Sequence, residues 1–335
     1  MNFRIYGICI VSVTANDSIL RQLSYISDPY FKMDNSKNCD VNFSIESCER
    51  AVVKDILKKT TKKWGYSNWE FKDNMYYIYD DYSTFSYFIV NLESRKIIHY
   101  SSNAEVQAYD LFRFIRNLAI GELQEKEYLC LHGAALNIRN EGILITGDKF
   151  SGKTTLMIEL LLKNKDEIEF ITNDVGMYNC EQSIGYGIPK SVSIRYITSK
   201  TLNFELSSEY KYDLNLYENS NGIKWDSKKR VSVREFSSNF NCQLSPKGDI
   251  KTVVYLKYGE EFKITQIEDL NKRKKILQRQ ILRNSEEQLY GGSCTPDEDR
   301  NLLLLSQRIK NFYVVEMDKF YQQKRVADEL IKILN

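Results

Sequence analysis

The sequence predicts an α/β domain from about residue 127 to residue 335, preceded by a β-rich α+β region, 1–126, that ends in a helix. Three observations carry this. Aromatic and β-branched runs crowd the first hundred residues. A strand, a glycine-bearing turn, an apolar helix and another strand follow one another between residues 142 and 172. Strand and helix patterns alternate again near the C-terminus.

Taken in order, the apolar start Met1–Ile10 breaks at Ser12, Thr14 and Asn16 with no small-residue cleavage site, so it reads as a first strand and not a signal sequence. Asn74–Tyr79 and Tyr87–Asn91 read as strands, and the polar turn Leu92–Arg95 leads into Lys96–Tyr100 as a hairpin. Ser102 or Asn103 can cap a helix running to about Leu123, whose apolar stripe is Val106, Leu111, Phe112, Phe114, Ile115 and Leu118. Tyr128–Asn137, Gly142–Thr146 and Ile168–Thr172 read as strands and Thr154–Lys163 as a buried helix. Signals from Tyr178 to about Leu244 are mixed. Val253–Leu256 is a strand, and Leu270 to about Gln288 a basic amphipathic helix. Thr295-Pro296-Asp297-Glu298 reads as a capping box with proline at the first helical position; a strand at Phe312–Glu316 and a helix from about Asp318 follow.

Composition narrows the function classes. With 42% hydrophobic and 27% charged residues the chain is expected to fold, and a net charge of +2 gives no reason to expect nucleic acid or an anionic membrane as partner. No window approaches the ~18 apolar residues a membrane-spanning helix needs. Seven Cys, without a C-x-x-C pair, fit reduced cytoplasmic thiols. Two His, His99 and His132, argue against a metal site built from imidazoles. Lys272–Lys275 reads as a solvated helix face.

Residues 147–154, Gly147-Asp148-Lys149-Phe150-Ser151-Gly152-Lys153-Thr154, match the G-x-x-x-x-G-K-[ST] phosphate loop at every defined position. Gly147 and Gly152 let the backbone curl into a nest of N–H groups, and the helix that starts at Thr154, with Thr155 as a further nucleotide-binding residue, adds its positive end. Lys153 can reach the β and γ oxygens of a nucleoside triphosphate, and the Thr154 hydroxyl can ligate Mg²⁺. Asp174, closing the next strand, can serve as metal ligand or as the base that accepts a hydroxyl proton; an ordinary turn Asp is the alternative. His132, from residues alone, is either a satisfied strand residue or a site residue.

The order of these motifs resembles the catalytic domain of the HPr kinase/phosphorylase family. His132-Gly133, the strand and loop from Gly142 to Thr155, and Asn173-Asp174 carry the resemblance well over about fifty residues, and loosely over 127–335. The fold it implies is the one shared with phosphoenolpyruvate carboxykinases. The layout is similar to HPr-kinase-like enzymes of natural-product pathways, including kinases of lasso peptide precursors. The resemblance implies a kinase in which Asp174 acts as general base, Lys153, Thr154 and Mg²⁺ carry the phosphates of ATP or another NTP, and His132 lies near the reacting phosphate. The acceptor would be a hydroxyl of a peptide or of a small molecule. Two departures stand out. The family's Asp-Asp is Asn173-Asp174 here, and the glycine-rich signature of the bifunctional regulator is absent. Gly185–Pro189 occupies a similar place and can line an acceptor site at Pro189. Arg195 and Arg234 are candidate phosphate clamps, with structural roles as the alternative. A nucleotide-binding regulatory module and an NTPase are the rival functions, and the first hundred residues can bind a leader peptide, dock on the catalytic domain or form a homo-oligomer contact.

Overall fold

The computed structural model describes residues 1–34, 41–49, 62–64, 67–80, 86–91, 93–101, 104–163, 167–204, 217–218, 224–225, 228–282, 297–318 and 322–334. The protein is mixed α/β, with eight helices among the described residues. They fall into two compact units, 1–128 and 129–282 with 297–335.

The first unit is one sheet of nine strands: β1 (Asn2–Ile5), β2 (Cys9–Thr14), β3 (Phe31–Asp34), β4 (Phe43–Glu49), β5 (Lys62–Trp64), β6 (Ser67–Lys72), β7 (Met75–Asp80), β8 (Ser86–Asn91) and β9 (Lys96–Ser101). Their spatial order is β3-β1-β2-β4-β9-β8-β7-β6-β5. Strands β2, β4 and β9 pair in parallel, and β8 and β9 form the expected hairpin. Helix α1 (Asp17–Ser27) starts where the Asn16 carboxamide accepts the Ile19 N–H at 2.9 Å, and buries Ile19 and Leu23. Helix α2 (Ala104–Glu125) buries Leu111, Phe114, Ile115 and Leu118, as its apolar spacing requires. Phe112 is only half-buried, its ring 5.6 Å from that of Phe31. The predicted caps Ser102 and Asn103, and the Val106 side chain, lie outside the described residues.

Between this sheet and α2 lies a buried polar cluster. His99, fully buried, is stacked 4.3 Å from Phe88; its Nδ1 meets Ser47 Oγ at 2.8 Å and its Nε2 meets Ser86 Oγ at 3.3 Å. The Ser86 hydroxyl donates to Asp110, and Gln107 Nε2 donates to Ser47 Oγ at 2.6 Å.

In the second unit two sheets share one long strand. The strands are β10 (Leu129–His132), β11 (Ala134–Ile138), β12 (Glu141–Gly147), β13 (Ile168–Thr172), β14 (Val175–Asn179), β15 (Ile184–Gly187), β16 (Val192–Arg195), β17 (Tyr217–Glu218), β18 (Lys224–Trp225), β19 (Lys228–Val231), β20 (Gln243–Leu244), β21 (Lys247–Tyr258), β22 (Lys263–Gln266) and β23 (Asn311–Met317). The helices are α3 (Lys153–Lys163), α4 (Tyr196–Leu202), α5 (Val233–Phe240), α6 (Leu270–Gln278), α7 (Glu298–Arg308) and α8 (Gln323–Leu334). The start of β21 pairs with β15 and continues the antiparallel run β10-β14-β15. Further along, β21 pairs in parallel with β12 on one side and with β23 on the other. That arm reads β20-β13-β11-β12-β21-β23-β22. Leu131, Leu144, Tyr178, Val253, Leu302 and Phe312 belong to one core cluster, so the two arms share their packing.

Several expected elements differ. Tyr128–Asn137 is two strands, β10 and β11, broken at Gly133. A β-carbon at Gly133 would lie 2.7 Å from Leu144 Cδ1 and 2.8 Å from Ile145 O, so only glycine lets the chain cross there from one arm to the other. The basic helix stops at Gln278, because the next residues serve β10 instead: Gln280 O accepts from His132 N and Leu282 N donates to Cys130 O. Residues 283–288 of the expected helix lie outside the described residues. Helix α7 is capped by Asp297, whose carboxylate accepts from Arg300 N at 3.0 Å, so Pro296 precedes the cap and does not open the helix. Thr295 and Pro296 themselves are outside the described residues. The last helix begins at Gln323 and not near Asp318.

Arg273 corrects the reading of the basic run as a solvated face. It is 5% exposed, and its guanidinium donates to Ile267 O at 2.7 Å, Ser306 O at 3.1 Å and Ile309 O at 2.8 Å. The last two are the C-terminal end of α7, where a cation also meets the negative end of the helix. Five described cysteines, Cys9, Cys48, Cys130, Cys180 and Cys242, are free thiols; Cys39 and Cys294 lie outside the described residues.

Candidate nucleotide site

Residues 147–154 leave the end of β12 and turn into α3, as the loop pattern requires. The turn uses left-handed backbone at Phe150 (φ 71°) and Gly152 (φ 87°). A side chain at Gly152 would also run into the Gln323 carboxamide, with Gln323 Cδ 3.0 Å from the would-be β-carbon. The loop is fastened from below by Asp148 N donating to Leu256 O at 3.3 Å, and from the side by two tyrosines of β21. Tyr255 OH donates to Asp148 Oδ1 at 2.7 Å, and Tyr258 OH donates to Phe150 O at 3.2 Å. Burial, reinforced by the Asp148 carboxylate, raises the Tyr255 phenol to about 12, so it stays a donor; Arg279, just past α6, also hydrogen-bonds it.

Lys153 is folded back on the loop: Nζ donates to Gly147 O and to Asp148 O, each at 3.0 Å. Burial lowers its pKa, while the carboxylates of Asp174 and Asp148 pull it back up. That same coupling ties Lys153 to Asp174. Thr154 is half-buried in the first turn of α3, and Thr155 is buried with its hydroxyl 3.1 Å from that of Thr198 on α4. Asp148 and Lys149 are exposed, and Lys149 Nζ lies 5.2 Å from the centre of the Phe150 ring.

Asp174 follows β13, which is not the neighbour of β12; β11 lies between them. Asp174 arrives by a second crossover. Just as β10 becomes β11 at Gly133, β13 becomes β14 through Asn173 and Asp174, and the two crossings run side by side with Gly133 N donating to Asp174 O at 3.1 Å. His132, at the end of β10, directs Nδ1 toward both the Asp174 backbone oxygen, at 3.0 Å, and its Oδ1, at 3.2 Å. Thr146, the residue before the loop, places its hydroxyl 2.9 Å from His132 O and 2.9 Å from the Gln280 side-chain oxygen, which links loop and crossover.

Lys190 supplies what the sequence reading missed. It follows Pro189 in the segment after β15, and its ammonium forms an ion pair with Asp174 Oδ2. Burial pushes the Asp174 carboxyl up, but the His132 hydrogen bond and the charge and hydrogen bond of Lys190 outweigh it and hold the group well below the usual carboxylate range. The signal was present as a cation directly after the Gly185–Pro189 run, but nothing in the spacing says that the run folds back. It does so because Ile188 N donates to Val175 O at 3.1 Å and Pro189 is buried.

The other candidates are more dispersed. Arg195 immediately precedes α4, and its guanidinium sits 4.9 Å over the Phe150 ring, beside the loop. Arg234 is half-buried in the first turn of α5, which packs through Phe236 on Phe170 of β13, 4.9 Å between rings. The side chains acting on the Asp174 carboxylate are His132 and Lys190, with Lys153 coupled to it, and neither arginine joins them.

Among the described residues no cluster of three or more His, Cys, Asp or Glu side chains is gathered for a metal ion. The two expected metal ligands, Thr154 in the first turn of α3 and Asp174 at the second crossing, are hard oxygen donors of the kind Mg²⁺ takes.

No family model and no curated protein matches the chain. Among solved structures it is similar to one described as the Hpr(Ser) kinase/phosphatase from Coxiella burnetii, at 13% identity, over 62% of this chain and 99% of that chain, with a TM-score of 0.26. The functional reading therefore rests on the site's own geometry. No helix among the described residues is long and apolar enough to cross a membrane.

Proposed function

We propose that this protein is a Mg²⁺-dependent kinase that moves the γ-phosphate of ATP, or of another NTP, to a hydroxyl group of a peptide Ser/Thr or a small metabolite. The observation that carries the reading is the convergence on one place of a glycine loop with its lysine and a single ionised carboxylate. In the proposed complex the loop N–H groups and Lys153 bind the β and γ phosphates, after Lys153 leaves the carbonyls of Gly147 and Asp148. Mg²⁺, when bound, would be held by Thr154 and Asp174 and would neutralise developing charge on the transferred group.

Asp174 then orients the acceptor hydroxyl and takes its proton. A carboxylate as acidic as Asp174 is with Lys190 attached is a weak base. The acceptor therefore has to part the two, and removal of the ammonium raises the carboxyl pKa. Lys190, 44% exposed, has solvent to move into. His132 stays on the backbone and carboxylate of Asp174 and keeps it aimed.

The rival reading is a nucleotide-binding regulatory module, and one observation favours it: both carboxylate oxygens of Asp174 are already engaged, by His132 and Lys190. One experiment separates them. The purified chain is titrated with MgATP, then incubated with γ-labelled ATP and a Ser/Thr peptide library or a polyol mixture, beside Asp174→Asn. A kinase labels an acceptor, and Asp174→Asn loses transfer while keeping some ATP affinity. ATP binding without label transfer to any acceptor favours the regulatory module. Absence of MgATP binding removes both readings.

A further inference from the structure

Two buried polar groups beside the glycine loop have no hydrogen-bond partner among the described residues. One is the Ser151 hydroxyl, inside the loop, 2.9 Å from where a β-carbon on Gly147 would lie. The other is the whole carboxamide of Gln323, 1% exposed, with neither Nε2 nor Oε1 satisfied. Gln323 is the first residue of α8, and its side chain points at Gly152, the residue that leads into α3. Helix α8 is held there by Val326, Ala327 and Leu330, all fully buried, and by the ion pair between Asp328 and Lys163 at the far end of α3. An amide buried without a partner is destabilising. A fold that needed only packing at this spot would be served by leucine or methionine. The group Gln323 faces is the N-terminal end of an eleven-residue helix, where N–H groups and the helix dipole attract negative charge.

We infer that Gln323 is a phosphate-contacting residue of the nucleotide site, whose carboxamide donates to a phosphoryl oxygen of the polyphosphate bound at the loop. The inference rests on the nucleotide reading above and adds the C-terminal helix to the site. It also accounts for Gly152 twice over, once through its left-handed φ and once through the carboxamide that occupies the space of a side chain. When Lys153 turns from the loop carbonyls to the phosphates, the mouth of the loop opens beside Gly152, and the orphaned amide gains its acceptor. Contact is to phosphate and not to the nucleoside, because the residue its carboxamide faces, Gly152, belongs to the loop.

The test compares the full chain with Gln323→Leu and Gln323→Glu, by calorimetric titration with MgATP and with magnesium tripolyphosphate, and by thermal melting without ligand. Gln323→Leu removes an unsatisfied amide, so its unliganded melting temperature should equal or exceed that of the wild type. Its affinity should fall about tenfold for MgATP and equally for tripolyphosphate, the loss expected for one hydrogen bond to a charged acceptor. Gln323→Glu keeps the shape, sets a carboxylate against the phosphates, and should bind both probes more weakly than Gln323→Leu. Unchanged affinity in both variants overturns the inference. So does a loss confined to MgATP, which would place the contact on the nucleoside. A wild type that binds neither probe is a different failure, that of the nucleotide reading itself.

Discussion

Acid should unfold the first unit through His99. Burial lowers this imidazole from its ordinary 6.5 to about 3, so the folded unit keeps it neutral where the unfolded chain takes up a proton. The folded pKa lies below the unfolded one, so the stability tied to His99 is complete above about pH 6.5. It declines as pH falls toward 3, where the folded form protonates too. Between those limits the loss is about 1.4 kcal/mol per pH unit, roughly 4–5 kcal/mol in all. That is comparable to the whole stability of a small domain. Urea unfolding in a Trp225→Phe background isolates Trp64 and Trp69, which lie on β5 and β6 of this unit. From about pH 7.5 to about pH 4.5 the wild type should lose about 2.7 kcal/mol through His99, on top of what its carboxylates contribute. His99→Asn keeps a polar group against Ser47 and cannot titrate. It should be less stable at neutral pH and have a stability curve shallower by one proton over the same interval. Parallel curves for the two proteins would refute the reasoning.

Lys153→Ala should abolish phosphoryl transfer, read as loss of label on any acceptor, because charge stabilisation is most of the catalysis in this chemistry. Lys190→Met removes a cation that holds Asp174 ionised, so the acid limb of the pH–rate profile should move to higher pH; an unmoved limb would detach Lys190 from the base. Gly152→Ala forces a side chain into left-handed backbone and into Gln323. It should weaken MgATP binding and lower stability by about 1–3 kcal/mol, measured by titration and melting. Arg273→Leu leaves the carbonyls of Ile267, Ser306 and Ile309 without their donor, and urea unfolding should show a loss of about 2–4 kcal/mol.

What was legible in the sequence follows from what is local. The loop, the helix α3 and the strand β13 were each placed within a residue, because glycine punctuation and an apolar run are encoded where they act. The capping of α7 was misplaced by a residue or two, since both Thr295 and Asp297 are competent caps and only the fold chooses. Gly133 was visible as part of a His-Gly pair, yet its reason is Leu144 and Ile145, eleven and twelve residues on and in another strand. Lys190 was legible only as a cation after the Gly185–Pro189 run, and Gln323 not at all. One reaches Asp174 because a backbone bond at Ile188 folds its segment back, and the other reaches Gly152 because a helix packs on α3. Arg273, read as one charge in a solvated run, is buried because three carbonyls converge on it from α7 and the turn before α6.

The position of the site can be argued from topology alone. The ribbon β10–β11 and the ribbon β13–β14 pair with each other along their length, antiparallel, and both leave one arm of the sheet for the other at the same level. Where paired strands part company, backbone groups and side chains face open space instead of a neighbouring strand, which is why ligands collect at such switch points in α/β sheets. Here the two crossings carry His132-Gly133 and Asn173-Asp174, and the end of β12 brings the loop to the same level through Thr146. The absent second carboxylate at Asn173 then has a structural consequence. An Asp there would add a second negative charge next to Asp174, whose carboxylate is already engaged by His132 and Lys190 and coupled to Lys153. With Asn173 the crossing carries one carboxylate, and His132 and Lys190 engage its two oxygens.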